Sequence, residues 1–135
     1  MKLPNDIPVY GDVKFRGVCP GETLEQVTFF ARLRRKYPET WGAIAVHIRN
    51  EGKRHHFQAA KEKSEGLVAG APDIIIPARR TFVCELKRQD HTQSTIGKDQ
   101  LVYLRAAQAT GAFVCIALGA DAAMEAFDEL LGRED

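Results

Sequence analysis

The spacing of apolar positions changes several times along the chain, and each change marks an element. From Glu22 to Tyr37 they recur at helical spacing, through Leu24, Val27, Phe30 and Leu33. Thr23 is the expected N-cap, with Gln26 completing a capping box, and Pro38 ends the helix. Arg32, Arg34, Arg35 and Lys36 crowd its last turns, where cations suit the helix dipole. Gly42–Ile48 (GAIAVHI) is an apolar run that predicts a buried strand, with His47 as a sheet or core histidine. Ile74-Ile75-Ile76 and Thr81-Phe82-Val83-Cys84 are rich in β-branched and aromatic residues. They flank Pro77-Ala78-Arg79-Arg80, which predicts a β-hairpin. Residues Arg88 to Thr95 have no apolar period and predict a loop, mobile enough to gate entry to anything beside it. Ser94 or Thr95 then caps a helix over Gly97–Thr110, with Leu101, Leu104 and Ala107 as its stripe and Gly111 as its stop. Ala112–Leu118 predicts another buried strand and Asp121–Leu131 a closing helix.

Residues 1–21 carry Pro4, Pro8, Pro20, Gly11, Gly17 and Gly21, and predict a loosely structured arm with at most a short strand near Val9-Tyr10. It leads into one domain over residues 22–135. The order α, β, basic helix, β, β, α, β, α predicts an α/β fold with a mixed central sheet and helices on both faces.

Composition changes this picture only in places. The 135 residues are enough for one core, and 44% hydrophobic with 27% charged residues is an ordinary globular balance. A net charge of +1 excludes an argument for nucleic acid from overall charge, so any basic surface must be local. One such stretch exists. Arg49–Lys63 sets Arg49, Lys53, Arg54, Lys61 and Lys63 against Glu51 and Glu62, a local +3. This is either a solvated helix face or a set of phosphate contacts. His55-His56 within it diverge on a helix and do not make a metal pair. By contrast, residues 121–135 hold six acids and one arginine, so DNA is expected to avoid that end. Cys19, Cys84 and Cys115 are odd in number and set in apolar surroundings, as in an intracellular protein with reduced thiols and no disulfide partner. No stretch approaches the 18 or so apolar residues of a membrane span, so a soluble protein is expected.

The hairpin carries the candidate chemistry. Asp73 opens its first strand, and Glu85 and Lys87 close its second. Side chains alternate along a strand, so Glu85 and Lys87 share a face. A three-residue loop over Ala78–Arg80 would set Asp73 opposite Glu85, with Cβ atoms roughly 4.5–5.5 Å apart. Two carboxylates so close repel unless a cation lies between them, and hard oxygen ligands suit Mg²⁺, Mn²⁺ or Ca²⁺. Another loop register would weaken the opposition. The bland alternative is an interstrand salt bridge of Lys87 with one of the acids.

Pro72-Asp73, eleven residues, then Glu85-Leu86-Lys87 resembles the PD-(D/E)xK nuclease superfamily. Asn50-Glu51-Gly52, then Gly70-Ala71-Pro72-Asp73, and later Gln100, Leu101, Leu104 and Gly111 narrow the resemblance. Over roughly Leu24 to Leu131 the chain is similar to the VRR-NUC family, the virus-type replication and repair nucleases, in a short stand-alone form. The resemblance implies a restriction-endonuclease-like αβββαβ core and a metal-dependent phosphodiesterase acting on DNA. It implies Mg²⁺ or Mn²⁺ held by Asp73, Glu85, the Leu86 carbonyl and an acid at Glu25, and a role for Gln100 in orienting the site or touching substrate. On the residues alone, Glu25 is as readily a helix-dipole partner. Lys87 beside two carboxylates holds its proton, which favours transition-state stabilisation over action as a base. Arg88, Arg49, Lys53, Arg54, Lys61 and Lys63 are the candidate DNA contacts. Stand-alone members imply a homodimer that cuts four-way junctions or other branched DNA. The alternatives are a flap or restriction-like nuclease and a DNA-binding subunit without turnover.

Overall fold

A computed structural model describes residues 1–48 and 56–134. Four strands form one mixed sheet in the order β1-β4-β3-β2: β1 (Val9–Tyr10), β2 (Ile74–Ile76), β3 (Phe82–Lys87) and β4 (Phe113–Leu118). β1 and β3 both run parallel to β4, while β2 is antiparallel to β3. The helices are α1 (Glu22–Lys36), α2 (Trp41–Ile44), α3 (His56–Ser64), α4 (Lys98–Ala109) and α5 (Ala120–Glu134). Every residue of β3 and β4 is buried, as expected of strands covered on both faces. Phe82, Cys84, Leu86, Phe113, Cys115 and Ala117 form one core with Phe29, Leu33 and Phe127 of α1 and α5. Val83, Val114, Ile116 and Leu118 form a second core, with Leu104 of α4. The predicted α/β class with a mixed, helix-flanked sheet is the observed one. Cys84 and Cys115 are register partners in the first core, and burial pushes the Cys84 thiol up. No helix among the described residues is long and apolar enough to cross a membrane.

Four local expectations are corrected. Gly42–Ile48 is not a strand. Its first half is the single turn α2, and only Val46 bridges, to Ile75. The aromatic side chains decide this: Trp41 docks edge-on against Tyr37 at 4.9 Å and Phe127 at 5.8 Å. Gly42 lies so close to the end of α1 that a Cβ would come 2.5 Å from the Tyr37 carbonyl oxygen. Those contacts outweigh a weak strand preference. Second, α1 starts from Gly21 in extended backbone with no side-chain cap, so Thr23 lies in the first turn and forms no capping box. Glu22 and Glu25 in that turn complement the dipole instead.

Third, the short strand expected at Val9-Tyr10 forms, but the first ten residues are held more firmly than a loose arm. Val9 and Tyr10 pair with Ile116 and Ala117, Ile7 is buried in the second core, and Arg105 bonds Asp6 at 2.8 Å. Fourth, the 88–95 loop is tied down. It contains a 3-10 turn, His91–Gln93, capped by Asp90. The Asp90 carboxylate accepts from the Gly17 N–H at 3.0 Å, the Thr92 N–H at 3.1 Å, the Thr92 hydroxyl at 2.6 Å and Gln93 Nε2 at 3.1 Å.

The Thr92 hydroxyl, followed by the Gly17 N–H, holds the Asp90 carboxyl well below the usual carboxylate range. A depressed pKa stabilises the fold above the unfolded value and loses that contribution as pH falls towards the folded one. Asp90→Asn should therefore melt several degrees below the parent at pH 7. The deficit should shrink below about pH 4, as measured by thermal unfolding at both pH values.

Candidate active site

The register of the hairpin decides the site. Ile74 pairs with Cys84, Ile75 with Val83 and Ile76 with Phe82. One step further back the same register sets Asp73 opposite Glu85, the arrangement a three-residue loop requires. Alternation then places Glu85 and Lys87 on the Val83 side of β3, towards α4. A strand that would otherwise be apolar on both faces thus ends in two buried charges, Glu85 at 2% and Lys87 at 4% exposure. They stand 3.7 Å apart, Nζ to Oε1. Asp73 Oδ2 accepts the Leu86 N–H at 2.9 Å, which pins this carboxylate to the end of β3. N–H and C=O of a strand residue point the same way, so the Leu86 carbonyl also faces the Asp73 side, beyond the end of β2.

The remaining walls of the site come from elsewhere in the chain. Gln100 Nε2 donates to Glu85 Oε1 at 2.9 Å, while its Oε1 accepts the Gly97 N–H at 2.7 Å. Gln100 thus joins the start of α4 to the acid. Gly70 allows this approach. Its φ is +76°, and a Cβ there would lie 2.3 Å from the Asp99 backbone. His47 donates through Nδ1 to the Asp73 carbonyl oxygen at 2.8 Å; a carbonyl can only accept, so that nitrogen carries the proton. A cavity of about 500 Å³ is lined by Asp73, Glu85, Lys87, Gln100, His47, Glu22 and Lys98, among others.

Asp73, Glu85, Lys87, Leu86 and Gln100 are therefore brought together. Glu25 is not. It is buried, takes a hydrogen bond from Gln89 Nε2 at 3.1 Å and lies against the backbone of Gly119. The α1 acid that lines the cavity is Glu22, one turn earlier, held by the Ser94 hydroxyl at 2.9 Å. The i, i+3 relation of Glu22 and Glu25 was visible in the sequence, but which of them reaches β3 depends on the tilt of α1. His47 and Lys98 were also missed as cavity residues. Of the candidate DNA contacts, Lys61 and Lys63 are exposed on α3. Arg88 is half-buried and donates to the Cys19 carbonyl at 3.4 Å. Arg49, Lys53 and Arg54 lie outside the described residues.

Glu85 shows what the site lacks. Its Oε2 is buried with no hydrogen-bond donor. Burial first, then the nearby Asp73 charge and a hydrogen bond with Asp73, push its pKa up to about 9; Lys87 opposes the shift and Glu22 adds to it. Its surroundings thus favour the protonated form of Glu85 over the charged one. The site fits a hard divalent cation. Two carboxylates and a carbonyl supply oxygen donors, and a cation would take the place of the proton. Among the described residues no three His, Cys, Asp or Glu side chains converge on one point. The side-chain donor set is therefore the Asp73–Glu85 pair.

The sequence matches no protein-family model and no curated protein. In three dimensions the chain is similar to a solved structure described as a "VRR_NUC domain protein". The TM-score is 0.68 over 82% of this chain and 88% of that one, at 20% sequence identity. The protein therefore has the fold of a VRR_NUC domain, an α/β fold with a mixed sheet between helices.

Two outcomes test this geometry. A raised acid pKa stabilises the fold below the unfolded value and loses that contribution as pH rises towards the folded one. Between pH 4.5 and 7 the chain in EDTA should therefore lose the part of its stability that Glu85 contributes. Glu85→Gln keeps a neutral side chain of the same shape, so it should melt above the parent at pH 8, with the gap closing near pH 5. Gly70→Ala should cost about 2 kcal/mol or more, because strain and a backbone clash coincide there. Chemical denaturation would measure it.

Proposed function

We propose that this protein belongs to the VRR-NUC nucleases and is a divalent-metal-dependent DNA endonuclease. The observation that carries the reading is Glu85: a carboxyl held at 2% exposure beside a second acid, with one oxygen lacking any donor. A structural salt bridge alone would not need Asp73 there. A buried acid with a second, half-buried acid opposite it and one lysine beside it costs stability and suits a ligand site.

In this reading Asp73, Glu85 and the Leu86 carbonyl hold Mg²⁺ or Mn²⁺, with Glu22 across the cavity in the outer shell in place of Glu25. Bound there, one or two such ions supply a hydroxide nucleophile at neutral pH and neutralise charge on the phosphate oxygens. The protein groups then divide the remaining work. Lys87 projects its ammonium into the cavity and stabilises the negative charge that builds on the non-bridging oxygens. Gln100 fixes Glu85 Oε1, and so fixes the direction of its free oxygen. His47 and the Leu86 N–H hold the two ends of Asp73. The exposed Lys61 and Lys63 contact backbone phosphates outside the cavity.

We propose branched duplex such as a four-way junction as the substrate, and a homodimer as the active form, because two symmetric cuts need two sites related by a two-fold axis. Labelled junction, flap and linear duplex, each with Mg²⁺, Mn²⁺ or EDTA, provide the test. Cleavage is expected with metal, abolished by EDTA, and reduced at least about a hundredfold in Asp73→Asn and Lys87→Ala. Binding without cutting in either metal would reverse the reading in favour of a DNA-binding subunit. Cuts at flaps alone would replace the junction substrate. Gel filtration against the 15.0 kDa chain mass tests the dimer.

A further inference from the structure

The cavity over Asp73 and Glu85 has a second cavity next to it along the sheet. Three segments each contribute a residue to the first, and each contributes its next same-face residue to the second, of about 500 Å³. Into β2 the step runs from Asp73, just before the strand, to Ile75, on β3 from Glu85 to Val83, and on α4 from Gln100 to Tyr103. β2 and β3 are antiparallel, so the first two steps point the same way, and α4 follows them. Two residues of strand cover about 6.6 Å, so the second cavity begins one short step from the acid pair.

Its chemistry differs from that of the first cavity. The floor is apolar, made by Ile75, Val83 and Ala107. Tyr103 stands at the wall with a half-buried ring, and its hydroxyl has no hydrogen-bond partner among the described residues. At the rim is Arg79, exposed at the hairpin tip and without an ion pair among the described residues. The neighbouring Arg80 is folded away, donating to the Gly111 and Ala112 carbonyls over the Phe113 ring. An aromatic side chain, an apolar floor and an exposed guanidinium at the rim suit an uncharged heterocycle linked to a phosphate. A paired base cannot enter it, since its faces are covered by its neighbours in the stack.

We propose that this second cavity is a nucleobase subsite, which takes the base of an unpaired nucleotide next to the cleaved phosphate. The base lies against Tyr103 over Val83 and Ala107, and Arg79 contacts the phosphate on its outer side. The substrate preference that follows is for DNA with a free nucleotide at the cut, as at a branch point, over fully paired duplex. This rests on the nuclease reading above, and the experiment separates the two.

Deoxyadenosine monophosphate and deoxyribose 5-phosphate are titrated separately into the ¹⁵N-labelled full chain in EDTA. Only the compound with a base should move the amides of Tyr103, Ala107 and Thr110. In cleavage assays, a branched substrate with one unpaired nucleotide at the cut should be preferred about tenfold in kcat/KM over the same strand with an abasic position there, the loss expected for one stacked base. Tyr103→Ala should remove that preference. So should Ala106→Trp, which fills the cavity from an exposed position and leaves the core untouched. An abasic substrate cut as fast as the intact one, or a preference that survives both variants, overturns the subsite while leaving the nuclease intact. If no DNA is cut in any metal, the nuclease reading fails, and the titration still decides whether the cavity takes a base: equal shifts from both compounds, or none, overturn it.

Discussion

The structure is organised around a conflict at one end of β3. A strand buried on both faces is filled with Phe82, Val83, Cys84 and Leu86, and then carries a carboxylate and an ammonium in the same run. The cost of removing Glu85 from water is not recovered by Lys87 alone, because Asp73 stands opposite and repels the same charge. A proton or a cation must settle that conflict. The elements nearest the end of β3 are arranged around it: Gln100 holds one oxygen of Glu85, the Leu86 N–H and His47 hold Asp73, and the second oxygen of Glu85 is left without a donor.

The rest of the fold makes that end rigid. β3 lies between β2 and β4, and β4 is itself covered on its outer edge by the short β1. The arm before α1 is therefore part of the sheet, and Asp90 ties it to the segment that follows Lys87. The Gly119 N–H donates to the Lys87 carbonyl at 2.9 Å, extending the ladder one residue past β4. The end of β3 is held along one edge by β4 and on the other by the Leu86 N–H bond to the Asp73 carboxylate, which resists local fraying as a preorganised site requires.

Much of this was legible in the chain. Two short β-branched and aromatic runs around a turn made the hairpin readable, while the register that opposes Asp73 to Glu85 was one of those the loop left open, and the pairing of Ile74 with Cys84 selects it. The helices α1, α4 and α5 followed from apolar spacing, and the long runs of β3 and β4 followed from their continuous hydrophobicity. Helix periodicity gives the face of a residue but not which turn overhangs a neighbouring strand, so it could not show that Glu22 rather than Glu25 lines the cavity. Gly42–Ile48 misled because its apolar residues serve aromatic docking at the end of α1 rather than a ladder.

The sequence by itself determined the two strands of the hairpin, the face shared by Glu85 and Lys87 and the identity of the three groups at the strand ends, since these depend on local geometry and on neighbours a few residues apart. Only the tertiary structure decided that Gln100 closes on Glu85, that Glu22 rather than Glu25 lines the cavity, and that a second cavity is lined by Val83 and Tyr103. Those facts depend on how α1 and α4 are seated on the sheet, and seating is fixed by side-chain packing summed over many distant residues, such as the absent Cβ of Gly70 against Asp99.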